Sequence, residues 1–238
     1  MTFGEVLLLT AALFTGAAAQ AMTGMGLGLV SGAALVIVLG RTTAVPLLAA
    51  LSIITMAPIL VATFRSVRWR DAAFLAVPAV ALTWPLSRAL ASVDEALVAR
   101  GAGLAIFAAS LALAMELRIR RLTGRLGALL ASVTSSFLNV AAGMGAPPLT
   151  LYVANANWGM AATRGTLQVY FLAIGLAVLW SMPLQFSDPW TPAWCAVAVL
   201  GGSLGGTAAA RRVPERAARL SALALAAAGG LALGMTSS

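Results

Sequence analysis

The sequence predicts an all-α integral membrane protein made of two inverted-topology repeats, each a glycine-broken helical hairpin plus three transmembrane helices. Three observations carry that prediction. Of the 238 residues, 61% are hydrophobic and 9% charged, where a soluble domain carries about 25% charged residues. Six apolar runs have the ~20 residues a helix needs to cross a bilayer. The tripeptide Gly-Met-Gly occurs twice, at Gly24-Met25-Gly26 and Gly143-Met144-Gly145, half the chain apart.

The first element is the apolar segment 5–40. Its stretch Ala17-Ala18-Ala19-Gln20-Ala21 has the small residues of a signal cleavage site, but the residues before it hold Glu5 and no positive charge. It therefore reads as a membrane element, interrupted by Gly24-Met25-Gly26-Leu27-Gly28. Full spans are expected at 44–64, 72–92 and 96–116. A second broken segment, 127–158, turns at Gly143-Met144-Gly145-Ala146-Pro147-Pro148, and spans at 164–184, 191–210 and 217–235 follow. A shift of about 120 superposes the second series on the first, so 1–119 and 120–238 read as two membrane repeats. Together they form one integrated transport unit.

Charge sets the expected orientation. All 15 basic residues are arginine, and the net charge is +8. Arg65, Arg68 and Arg70 fill the linker 65–71; Arg118, Arg120, Arg121 and Arg125 fill 117–126; Arg211, Arg212, Arg216 and Arg219 fill 211–219. By the positive-inside rule these linkers are cytoplasmic, and those with Asp94-Glu95 and Asp188 are external. Counting spans between them gives the two halves opposite orientation, as in many secondary transporters. Each broken segment must then enter and return on one side, and both termini lie outside. Eight principal membrane segments result, or ten helices with the hairpin arms counted singly.

Breaks at matching positions point to a transporter's binding site. Non-helical backbone within a bilayer must be satisfied by protein or line a wet cavity. Glycine allows positive φ and close backbone approach. Pro147 suits the first turn of a half-helix running on from Pro148, whose N-terminus favours an anion. The candidate substrate-binding residues are Gln20, Thr23, Gly24, Met25, Gly26 and Gly28 at the first break. Asn139, Gly143, Met144, Gly145 and Pro147 supply the second break, and Arg164 and Gln168 the span after it. Ser31, Thr134, Ser135, Ser136, Thr150, Asn155 and Asn157 are further polar neighbours. The competing reading of these polar groups is satisfaction of broken helix backbone. For Arg164 it is a cytoplasmic anchor. Arg41 holds the related place on the outer side, where the charge rule gives it no reason to be. Gly201-Gly202 with Gly205-Gly206 reads as helix packing.

Composition also excludes. With no histidine and one cysteine, Cys195, neither a Cys/His metal site nor an intrachain disulfide is available. All seven acidic residues fall at span ends or linkers, which argues against a carboxylate proton relay. No catalytic constellation is visible, so no enzyme, no cofactor and no metal is expected. The arginines are scattered between spans, which argues against nucleic acid. The expected partners are a small anionic substrate and the lipid bilayer; the sequence is compatible with a homo-oligomer.

The stretch Thr23-Gly24-Met25-Gly26-Leu27-Gly28-Leu29-Val30 resembles the first glycine motif of the TauE/SafE sulfite exporter family. Gly143 through Tyr152 resembles its second, a GxGGPP followed by apolar residues. Ala161-Ala162-Thr163-Arg164-Gly165-Thr166-Leu167 resembles the segment that follows, and Gly201 through Arg212 the late glycine-rich helix. The resemblance covers essentially the whole chain in order. Ala146 departs from it by standing for a third glycine, and Ser31-Gly32-Ala33 by standing where a proline often follows. The resemblance implies a cell-membrane permease with two homologous halves that handles sulfite, sulfoacetate or other organosulfonates. The expected activity is export of such an anion by alternating access. Import or a channel for another anion or metabolite on the same fold, and a non-transporting scaffold or assembly factor, remain the alternatives.

Overall fold

The computed structural model describes residues 1–115, 124–156, 158–186, 190–210 and 212–235. Among them the chain is helical, without strands. The first half comprises α1 (Phe3–Thr23), α2 (Leu27–Leu39), α3 (Arg41–Thr63), α4 (Trp69–Ala91) and α5 (Glu95–Ala114). The second comprises α6 (Gly124–Ala142), α7 (Ala146–Ala156), α8 (Met160–Ser181), α9 (Trp190–Ala209) and α10 (Glu215–Met235). Eight of these, all but α2 and α7, are long and apolar enough to cross a membrane.

Each expected span is present with shifted ends. α3 and α8 begin at Arg41 and Met160, ahead of the expected 44 and 164. Two basic linkers are shorter than charge alone implied: Arg125 lies in the first turn of α6, and Arg216 and Arg219 lie within α10. Arg118, Arg120, Arg121, Asn157, Asp188 and Arg211 lie outside the described residues.

The two broken segments are helical hairpins with unequal arms. α1 has 21 residues and α6 has 19, whereas α2 has 13 and α7 has 11. At 1.5 Å per residue the return arms reach only about 20 and 16 Å, short of a ~30 Å hydrocarbon core. The turns are chemically similar. Gly24 ends α1 at φ 82° and Gly143 ends α6 at φ 69°, a left-handed conformation costly for any residue with a Cβ. The Gly24 N–H donates to the Gln20 carbonyl and the Gly143 N–H to the Asn139 carbonyl, both at 2.8 Å. At the other end of α1, Thr2 and Glu5 form a reciprocal capping box, which accounts for an acidic residue at the head of an apolar helix.

Small residues let the helices approach closely. α1 packs along α9, where Gly202 and Gly206 lie against the backbone of Phe14 and Ala18. The contacts climb together, so the two helices run parallel. α6 runs parallel to α4: the Ser132 and Ser136 hydroxyls donate to the Leu75 and Ala79 carbonyls at 2.5 and 3.0 Å. α3 packs antiparallel to α8, with Gly165 near Thr63 and Gly175 near Ala49 and Ile53. α5 packs antiparallel to α10 through Gly103, Gly230 and Gly234. Lipid supplies no hydrophobic drive between helices, so close backbone approach and interhelical hydrogen bonds carry the association.

Candidate functional site

The two glycine breaks meet inside the bundle. α2 crosses the second break so closely that a Cβ on Gly28 would overlap the Gly143 carbonyl oxygen. One turn later, a Cβ on Gly32 would lie 2.6 Å from the Met144 side chain. Beside this crossing is a cavity of about 50 Å³, less than the volume of two waters at ~30 Å³ each. Gln20, Met25, Gly26, Gly28, Asn139, Gly143, Met144 and Gly145 all line it. Residues from both breaks, far apart in the chain, therefore share one chamber. Leu48, Ser52 and Met56 of α3 and Phe171 and Gly175 of α8 complete it.

Gln20 and Asn139 hold matching positions, four residues before the first glycine of each break, and their bonding differs. Gln20 is buried, and its Oε1 accepts the Leu27 N–H at the start of α2 at 3.3 Å. The Asn139 amide makes no hydrogen bond to protein among the described residues and faces the chamber. This asymmetry separates a structural amide from one available to a ligand. Asn139→Ala is expected to leave the melting temperature nearly unchanged while lowering transport at least about tenfold. Gln20→Ala is expected to destabilise by about 1–3 kcal/mol, because it strands a buried N–H. Thermal unfolding in detergent, read beside flux in proteoliposomes, checks both.

Three candidates act on the first break from outside the chamber. Arg164 donates from Nη2 to the Met22 carbonyl at 2.7 Å, and Gln168, one turn further along α8, donates from Nε2 to the Gly24 carbonyl at 2.6 Å. Both hold the carboxyl end of α1, where a cation complements the helix dipole. Gln168 is fully buried, and its Oε1 has no partner among the described residues. The Thr23 hydroxyl, with one proton to give, lies 2.5 Å from Met25 O and 2.8 Å from Ala19 O and so braces the turn.

The second break is braced likewise. Ser135 donates to the Gly145 carbonyl at 2.5 Å. α7 begins at Ala146, two residues before the expected start, so Pro147 and Pro148 both occupy its first turn. Neither has an N–H, which halves the donors this helix end can offer an anion. Pro147 is buried and lines neither cavity. Of the further polar neighbours, Ser31 folds back on the Leu27 carbonyl, Ser136 bonds to α4, and Asn155 bonds to Leu151 O.

A larger cavity of about 280 Å³ adjoins the first break, lined by Thr23, Met25, Thr150, Trp158, Thr163, Arg164 and Arg219 among others. Met25 and Leu29 line both cavities, and the Thr150 Oγ1 lies 3.1 Å from the Met25 sulfur. Sequence reasoning missed Arg219 and Trp158. It read Arg219 as a linker charge although the expected span 217–235 already held it; in the fold Arg219 lies near the start of α10 and lines the cavity. Arg41 acquires a role: its Nη2 donates to Leu90 O at 3.3 Å and its N–H to Glu95 Oε1 at 2.6 Å, tying the α2–α3 joint to the α4–α5 linker. Among the described residues no group of three or more His, Cys, Asp or Glu side chains is placed to hold a metal.

Spanning helices gathered around two glycine breaks that share one chamber make this a multi-pass membrane protein of permease build. The chain belongs to the TauE/SafE family: the family model described as "Sulfite exporter TauE/SafE" matches residues 8–233, nearly the whole length. No curated protein and no solved structure matches it. Membership makes it a cell-membrane transporter for sulfur-related anions.

Proposed function

We propose that this transporter exports sulfite or a small organosulfonate by alternating access around the paired breaks. The observation that carries the reading is the shared chamber, in which Gln20 and Asn139 converge from matching positions of the two hairpins. In this reading residues 1–119 and 120–238 are inverted repeats. The antiparallel packing of α3 on α8 and of α5 on α10 supports it, since each pair occupies corresponding places in the two halves. So does the parallel packing of α1 on α9 and of α6 on α4, which exchange under the same correspondence. Both termini then lie outside, and the larger cavity opens toward the cytoplasmic linkers that flank Trp158 and Arg219. The arrangement is an inward-open state with Met25 between vestibule and chamber.

Thr23, Gly24, Gly26, Gly28, Gly143, Met144, Gly145 and Pro147 shape the breaks. Asn139 offers its amide to the substrate, Gln20 holds the start of α2, and Arg164 and Gln168 hold the first break in register. Export of an anion needs no proton relay: the membrane potential supplies about 2.3 kcal/mol per charge per 100 mV.

Proteoliposomes loaded with sulfite, thiosulfate, sulfoacetate or taurine test the proposal. The expected result is saturable efflux of at least one, above empty liposomes and accelerated by a counter-gradient. Flux of none of the four sinks it. Flux without saturation replaces the carrier by a channel.

A further inference from the structure

We infer that the protein has a second vestibule, closed in this state, on the opposite membrane face. It opens along α2 and α3, and the buried guanidinium of Arg41 is its anion contact. The inference rests on the inverted-repeat reading of the transporter and names the residues of its other site.

The two halves correspond closely around the breaks. With Gly24 set on Gly143, α2 and α7 begin at matching residues, Leu27 and Ala146, and α3 and α8 at Arg41 and Met160. α3 and α8 each start behind a glycine, Gly40 and Gly159. The same pairing carries the lining of the open 280 Å³ vestibule onto the first half and the second break. Met25 falls on Met144, Thr150 on Ser31, Val153 on Ala34, Met160 on Arg41 and Thr163 on Ala44. Arg219 of α10 falls on Arg100 of α5.

Exposure separates the two sets. Met25, Thr150, Met160 and Thr163 are at least partly exposed and line a cavity. Met144, Ser31, Arg41 and Ala44 are buried. Inverted repeats alternate access by moving against one another about a fixed site, so the wall packed shut on one face is the wall that opens next.

Arg41 shows what the closed site takes. It is 5% exposed, and its Nη2 donates to Leu90 O at 3.3 Å. Its Nε and Nη1 are buried without an acceptor among the described residues. A buried charge with unfilled donors is costly. An oxyanion arriving at the first turn of α3 would fill them, and the helix dipole favours it there. Glu95, the exposed first residue of α5, holds that turn now: its Oε1 accepts the Arg41 backbone N–H at 2.6 Å. The carboxylate therefore occupies the helix end that the anion would use and ties the outer face shut.

Cysteine labelling of the full chain tests this. In a Cys195→Ala background, Ala44→Cys and Thr163→Cys are exposed to a membrane-impermeant maleimide from each side of sealed membranes in turn. Thr163→Cys should react from one side and Ala44→Cys from the other. Ala34→Cys, at a half-buried position, repeats the measurement should Ala44→Cys not fold. Glu95→Ala should speed labelling of Ala44→Cys at least about tenfold, the effect of losing one charge-assisted hydrogen bond, and should not speed that of Thr163→Cys. In proteoliposomes of fixed orientation, Arg41→Gln should raise the KM for sulfite about tenfold on the face from which Ala44→Cys is labelled, and little on the other. Labelling of both positions from one side, or of neither Ala44→Cys nor Ala34→Cys while flux proceeds, overturns the second vestibule and leaves transport standing. Opposite-side labelling with no flux keeps the vestibule and sinks the transport reading. A KM that rises equally on both faces, or on neither, overturns the role of Arg41.

Discussion

Gly28→Ala is expected to lower the melting temperature sharply and to abolish flux. The added methyl would overlap the carbonyl oxygen of Gly143, which is backbone and cannot rotate aside. Either α2 lifts off the second break or the break deforms, and both disrupt the chamber between them. Overpacking of a tight site costs about 1–3 kcal/mol, more where the neighbour cannot yield, and here neither side can. Gly101→Ala is the control, since nothing lies within 4 Å of a Cβ there and the position is mid-helix in α5. It should be neutral or slightly stabilising, by up to about 1 kcal/mol. Thermal unfolding and proteoliposome flux of the two variants make the comparison. A Gly28→Ala protein that melts and transports like the parent would falsify the crossing of the breaks.

The second large effect is expected at Arg164, which sequence read as an anion contact or a cytoplasmic anchor and which the structure puts both on the end of α1 and on the wall of the larger cavity. Its Nη2 caps α1 at Met22 O, and its aliphatic stem lies against Gly24, within 2.9 Å of where a Cβ would be. It also lines the vestibule. Arg164→Ala should lose the charge-assisted bond, about 1.5–3 kcal/mol of stability, and should lower flux more than tenfold. Arg164→Gln can still donate to the Met22 carbonyl but carries no charge. It should recover most of the stability while flux stays low. Recovery of both would leave capping as the whole role. If Arg164→Ala melts like the parent, the capping account is wrong.

The broken hairpins show how much could be read from residues alone. Gly24 and Gly143 were legible as breaks because the same Gly-Met-Gly tripeptide interrupts an apolar run in each half, and both take the positive φ that glycine allows. That each broken segment forms a hairpin was read from the parity of the charged linkers. The length of the return arm was not. α7 stops at Ala156, before the expected 158, and α2 ends at Gly40, where a φ of 74° starts α3 anew.

Ser31 and Asn139 illustrate the other limit. Both are polar residues next to a break; sequence put Asn139 among the candidates and Ser31 only among their polar neighbours, without showing which would satisfy its own helix. In the fold Ser31 satisfies its own helix at Leu27 O, while the Asn139 amide faces a cavity. Arg219 moved the opposite way, from a topology signal to the wall of the vestibule.

What the sequence by itself determined was everything that varies along one axis: which residues cross the bilayer, where the crossings are broken, and which linkers carry positive charge. A bilayer imposes these demands segment by segment, so each can be met and read locally. What only the tertiary structure decided was rotation and partnership: Gly28 against Gly143, Gln168 on the Gly24 carbonyl, Gln20 and Asn139 in one chamber. A helix that is apolar all round carries no stripe to say which face meets protein and which meets lipid. The small residues that settle the matter act only when a second backbone arrives to fill the space they leave.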